Sequence, residues 1–232
     1  MAAAALPAAV IFDMDGVLVD SYHAHFVSWR ETAQHGGVAF DEQTFARTFG
    51  KTSRAIIREV WPSGEVLPDE AIRAIDERKE AAYRAIIERE FPAMPGAIGL
   101  IDALAALRVP MAVGSSGPAE NVAAALRGLE RAPAFAATVT GMDVVNGKPD
   151  PEVFLLAAER LGVEHESCVV IEDAPHGVEA ARRANMGCVA FASTGHERGD
   201  FRAHEDDARV RVVDSLDALT IPLLCELTAL SG

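Results

Sequence analysis

The chain has 232 residues, half of them hydrophobic and 24% charged, which gives ample material for a packed core and sets aside a disordered or low-complexity protein. Against 21 basic side chains stand 35 acidic ones, a formal net charge of −14 with no basic run, so nucleic acid and anionic membrane surfaces are poor partners. No apolar stretch approaches the ~20 residues of a bilayer span. The opening MAAAALPAAV has no basic n-region and runs straight into AVIFDMDG, so it reads as the approach to a strand rather than as a signal peptide.

In chain order, short Val- and Ile-rich runs each lead into a polar or glycine-containing turn and then a helical pattern. The clearest are residues 8–13 (AAVIFD), 109–114 (VPMAVG), 168–172 (CVVIE) and 188–193 (CVAFAS), with weaker candidates at 137–141 and 209–214. Continuous apolar strands alternating with helices predict an α/β, doubly wound, Rossmann-like parallel sheet. Residues 21–92 break this pattern, because they offer helical periodicity and no convincing strand. They are too many for an ordinary crossover, and predict an all-helical cap inserted between two parts of the core, 1–20 and 93–232. Its longest helix is predicted to begin at Pro68 and Asp69, with Ile72, Ile75, Ala82 and Ile86 near one face and Arg, Glu and Asp on the other. The segment 196–208 (HERGDFRAHEDDA) reads as a solvated surface loop and helix. Cys168, Cys188 and Cys225 are odd in number, widely spaced and set in apolar surroundings, which predicts buried thiols in a reducing compartment and a cytoplasmic protein.

Ligands of open α/β sheets bind beyond the carboxyl ends of the strands, so the residues that end each strand carry the chemistry. The first strand ends in Asp13-Met14-Asp15-Gly16, the second in Gly114-Ser115-Ser116-Gly117, and VVIE in Glu172-Asp173. Between them Lys148, in GKPDPE, precedes a helix opened by prolines. Carboxylates gathered this closely cannot all stay ionised without a cation, and an all-oxygen set suits Mg²⁺. Lys148 and the Ser115 hydroxyl can neutralise and orient phosphoryl oxygens, and Asp15 is placed to protonate a leaving oxygen. The GKTS at 50–53 is not a phosphate loop, since the first glycine of that motif would fall at Phe45.

FDMDGVLVDS, VGSS, GKPDPE and IEDAPHGVEAARRANMG resemble, in order and spacing, the four motifs of the haloacid dehalogenase superfamily, and within it the subfamily of β-phosphoglucomutase and small sugar-phosphate or phosphoglycolate phosphatases. The resemblance implies that Asp13 is a nucleophile forming an aspartyl-phosphate and Asp15 the general acid and base. It implies that Ser115 and Lys148 hold the phosphoryl group, with Ser116 a further substrate-binding residue, and that Asp13, Glu172, Asp173 and the backbone carbonyl of Asp15 bind Mg²⁺. True dehalogenases lack a second acid at the position of Asp15, which argues against dehalogenation. In the cap, His25, Arg54 and Lys79 resemble residues that contact substrate or couple closure to catalysis, whereas Trp29 reads as core. Of the chain's three lysines, Lys51, Lys79 and Lys148, all fall in segments near these motifs.

After Ser116 the chain offers Gly117, Pro118 and Ala119, where the mutase resembles a Ser-Lys-Asn run that grips a second phosphate. This favours a phosphatase for a small phosphorylated metabolite, with a phosphosugar mutase as the alternative. A non-enzymatic phospho-receiver also uses acids, a hydroxyl and a lysine on such a sheet, but is much shorter and has no cap. The acidic surface, without a spare apolar stripe, predicts a monomer.

Overall fold

The computed structural model describes residues 6–63 and 66–229; the first five residues, read above as leading into a strand, lie outside them. The described chain forms two compact units, one joining the chain up to Asp20 to the chain from Pro92 onward, the other Ser21–Phe91.

The first unit is built on the strands β1 (Ala9–Phe12), β2 (Met111–Gly114), β3 (Phe135–Val139), β4 (Cys168–Glu172), β5 (Gly187–Phe191) and β6 (Val210–Val213). They form a six-stranded, wholly parallel sheet in the order β3-β2-β1-β4-β5-β6. Every residue of β1, β2, β4 and β5 is buried, which is why these strands read as unbroken apolar runs. The edge strands β3 and β6 keep exposed or half-exposed positions, and their Thr and Arg residues weaken the sequence signal. Strand order reverses at β1, so the carboxyl ends of β1 and β4 flank the crevice where such sheets bind ligands. Where the chain leaves and re-enters this unit the two crossing segments pair: Asp20 N–H donates to the Pro92 carbonyl at 2.8 Å, Met94 N–H to that of Leu18 at 3.1 Å, and Val19 bridges Ala93 antiparallel.

Ser21–Phe91 holds the helices α1 (Tyr22–His35), α2 (Glu42–Thr48), α3 (Ser53–Val60) and α4 (Asp69–Arg89). Asp41 and Thr52 cap α2 and α3 by accepting the N–H groups of Thr44 and Ala55, and Pro68 precedes α4, where its missing N–H costs nothing. Trp29, Phe40, Phe45, Ile57 and Trp61 form an aromatic-rich core of its own. The buried face of α4 differs from the periodic expectation. It runs through Ile72, Lys79, Tyr83 and Ile87, while Ala82 and Ile86 are half-buried. Lys79 lies inside because its ammonium finds His25 Nδ1 at 3.0 Å and Glu80 Oε1 at 2.8 Å and lies over the rings of Trp29 and Tyr83.

The core unit continues with α5 (Ala97–Ala106), α6 (Ala119–Leu129), α7 (Glu152–Leu161), α8 (Pro175–Arg183) and α9 (Ile221–Ala229). Gly114 at the end of β2 leaves room for Phe154 of α7, since a side chain there would begin 3.1 Å from its ring. The ring is fully buried and lies 4.8 Å below the Lys148 ammonium. Phe154→Ala is expected to lose about 3–5 kcal/mol in urea unfolding of the whole chain; a loss below about 1 kcal/mol would mean that the site collapses around the gap.

All three cysteines are buried and unpaired, and burial pushes the Cys168 thiol up to about 12. The segment 196–208 is mostly exposed, as its polarity suggests. A 3-10 turn over Arg198–His204, opened by a reciprocal Glu197–Asp200 capping box, drives Phe201 fully into the core and buries His204.

Candidate active site

Asp13 follows β1 directly, and its N–H is tied to the Ile171 carbonyl of β4, which sets the two strand ends side by side. Met14 then accepts from the N–H groups of Val17, Leu18 and Val19, curling the chain into a tight turn that carries Asp15. Gly16 has φ +76°, a conformation open to glycine, and a side chain there would begin 1.9 Å from Asp173 Oδ2. At the start of α8, Gly177 plays the same part, since a Cβ would fall 1.7 Å from Glu172 Oε1. Two glycines thus form a cradle for two carboxylates.

Asp13, Glu172 and Asp173 are all buried, and a carboxylate oxygen of each lies within 4.8 Å of the other two. Lys148 is buried among them, with Nζ 2.5 Å from Asp13 Oδ1 and 2.8 Å from Glu172 Oε1. Glu172 Oε2 also accepts the Ala174 N–H at 2.6 Å, and Ser193 Oγ donates to Asp173 Oδ2 at 2.7 Å. Burial pushes the Asp13 carboxyl up to about 7, with Glu172 and Asp15 adding to the rise and Lys148 opposing it. Burial likewise holds Asp173 well above the carboxylate range, helped by Glu172 and Asp13. For Lys148 burial acts downward, yet Asp13 and Glu172 more than offset it and keep the ammonium charged. One ammonium does not balance three carboxylates. The all-oxygen donor set and the cradle around it fit a small, hard divalent cation such as Mg²⁺.

Ser115, at the end of β2, is buried, and its Oγ accepts the Gly117 N–H at 3.0 Å, so its hydroxyl proton can turn to a ligand. A side chain at Gly117 would begin 3.3 Å from Ser115 Oγ and 3.9 Å from Asp15 Oδ2, so Asp15 and Ser115 border one spot. Asp15's carboxylate is not one of the three clustered acids. Ser116 is exposed, and its carbonyl sits where a side chain at Gly141 would clash. The strand-end candidates Asp13, Lys148, Glu172 and Asp173 therefore meet, with Asp15 and Ser115 placed together beside Gly117.

The remaining candidates lie in the Ser21–Phe91 unit with partners of their own. Arg54 is exposed and pairs with Asp69 at 2.7 Å. His25 stacks on Tyr83 with ring centres 4.3 Å apart and contacts Lys79. Lys51 pairs with Glu59 on the surface. Sequence reading passed over Gly16, Gly177 and Ser193. The two glycines carry a signal in their fixed places inside the acidic motifs, whereas Ser193 meets Asp173 only through the fold.

The chain matches the haloacid dehalogenase-like hydrolase family over residues 7–185. It is 32% identical over 216 residues to the phosphorylated carbohydrates phosphatase of Thermotoga maritima, covering 92% of this chain and 97% of that protein. It is 31% identical over 186 residues to the beta-phosphoglucomutase of Bacillus subtilis, covering 78% and 81%. The crystal structure of beta-phosphoglucomutase from Clostridium difficile superposes with a TM-score of 0.79 at 25% identity, over 95% of this chain and 96% of that one. Likeness over this much of the sequence and the fold establishes the family: the protein is an enzyme of the haloacid dehalogenase-like hydrolases.

Proposed function

We infer that the enzyme is a Mg²⁺-dependent phosphomonoesterase for a small phosphorylated metabolite of the sugar-phosphate class. The observation that carries this reading is the buried group of Asp13, Glu172 and Asp173 around Lys148 at the strand ends, with Asp15 and Ser115 set together beside it. The similar phosphatase from Thermotoga, named for phosphorylated carbohydrates, supports the substrate class.

Asp13, Glu172 and Asp173 would hold the cation with help from the Asp15 backbone carbonyl, and when bound it supplies charge neutralisation that lets a carboxylate approach a dianionic phosphoryl group. Asp13 attacks phosphorus while the bond to the leaving oxygen breaks, and Asp15 gives that oxygen its proton. An aspartyl-phosphate remains on Asp13. Water then attacks its phosphorus, Asp15 takes the water's proton, and inorganic phosphate leaves with Asp13 and Asp15 restored. Ser115 and Lys148 hold the phosphoryl oxygens throughout. Ser116 and Arg54, both exposed, are assigned to direct substrate contact, and the buried Lys79 and the half-buried His25 act as a pair that shapes the cap. The Ser21–Phe91 helices are the specificity-bearing insertion.

The test is phosphate release from a panel of hexose, pentose and triose phosphates, phosphoglycolate and nucleotides with Mg²⁺. Preference for a sugar phosphate is expected; no release from any member would overturn the reading. The mutase reading is favoured by the Bacillus relative and opposed by Gly117, Pro118 and Ala119, which bring no side-chain cation to a second phosphate. Conversion of β-glucose 1-phosphate to the 6-phosphate after priming with a bisphosphate would replace hydrolysis as the main activity if that reading holds.

A further inference from the structure

We propose that Ser193 is a positioning residue for the metal centre, its hydroxyl fixing the Asp173 carboxylate in the orientation that meets the cation; this rests on reading Asp13, Glu172 and Asp173 as that centre. Ser193 stands two residues beyond β5, half-buried, and reaches across the sheet to donate to Asp173 Oδ2 at 2.7 Å. Its Oγ accepts the Gly195 N–H at 3.4 Å, so a lone pair is engaged on one side and the hydroxyl proton is aimed at the carboxylate on the other. Among the described residues it is the hydrogen-bond donor to Asp173's side chain. Asp173 Oδ2 is also crowded by Gly16, where a side chain would begin 1.9 Å from it.

The loop that presents this hydroxyl is itself anchored. Ala192 N–H donates to the Val213 carbonyl of β6 at 2.8 Å, and Thr194 Oγ1 donates to Asp20 Oδ1 at 3.2 Å. Ser193 is held between these two ties, so its reach is set by the sheet rather than by a mobile side chain. A carboxylate surrounded by other carboxylates is driven to swing away from them, and one rigid donor counters that tendency before any cation arrives. Adjacent residues thus grip a metal-facing acid and the last residue before the helical insertion.

Isothermal titration of the substrate-free full chain with Mg²⁺ tests the proposal. Ser193→Ala is expected to weaken Mg²⁺ binding by about 10- to 100-fold, and the Mg²⁺ midpoint for phosphate release should move with it. Ser193→Thr, which keeps the hydroxyl, restores binding to near the parental value, while Ser193→Cys does not. Parental Mg²⁺ affinity in a cooperatively folded Ser193→Ala chain would overturn the inference. Should that variant fail to fold, equal weakening in Ser193→Thr and Ser193→Cys would overturn it instead. Asp173→Asn separates the two levels. If it leaves Mg²⁺ binding intact, the metal centre itself is misassigned; if it abolishes binding and Ser193→Ala does not weaken it, the positioning role alone falls.

Discussion

Asp13→Asn is expected to lower turnover by about 10³-fold or more, since an amide cannot act as the phosphoryl acceptor, and at the same time to stabilise the metal-free protein at neutral pH. The second effect follows from the site's electrostatics. The Asp13 carboxyl is raised from 3.8 to about 7, chiefly by burial, so the folded protein favours its protonated form far more than the unfolded chain does. Its contribution to stability is therefore fully present below about pH 4 and is lost as pH climbs through 7. Asparagine stays neutral throughout and escapes that loss, while Lys148 keeps Glu172 as its partner. Thermal unfolding without divalent metal, taken between pH 4 and 8, should show the variant gaining on the parent as pH rises. Added Mg²⁺ should narrow the gap by stabilising the parent. A variant that keeps its turnover would remove Asp13 as the nucleophile, and a parent that gains stability on the variant with rising pH would contradict the account of the cluster.

The second large effect concerns Asp15. Asp15→Asn is expected to cost about 10²- to 10⁴-fold in turnover of a sugar phosphate, the range of a positioned general acid and base. Mg²⁺ binding should survive, because the Asp15 side chain stands outside the three clustered acids. The leaving group makes the role visible. p-Nitrophenolate departs without needing a proton, so with p-nitrophenyl phosphate the first step should persist while hydrolysis of the aspartyl-phosphate, which needs the base, slows. Rapid mixing should then show a burst of one nitrophenolate per enzyme followed by slow turnover. Loss of Mg²⁺ affinity, or equal losses for both substrates with no burst, would assign Asp15 another role.

Much of this site was legible because strands buried on both faces and the acids that end them are local signals. Asp13, Glu172 and Asp173 could be expected to meet from their places at strand ends, with Lys148 before a helix start nearby, and the inserted helices stood out through their change of period. What local pattern does not carry is which distant residues meet. Lys79 is interior because His25 and Glu80 receive it, and those partners come from a different helix and a neighbouring position. Within the mostly exposed stretch 196–208, Phe201 alone is fully drawn into the core. Ser193 acts on an acid 20 positions away by a contact that exists only once β4 and β5 lie side by side.

The ladder between Leu18–Asp20 and Pro92–Met94 reaches further than its few hydrogen bonds suggest. Because the inserted stretch departs and returns through neighbouring, hydrogen-bonded positions, the parent sheet closes the same way whatever length of chain is spliced between them, and a long insertion adds little loop-closure entropy. Such a doorway lets one insertion be exchanged for another while the sheet and the residues at its strand ends stay unedited.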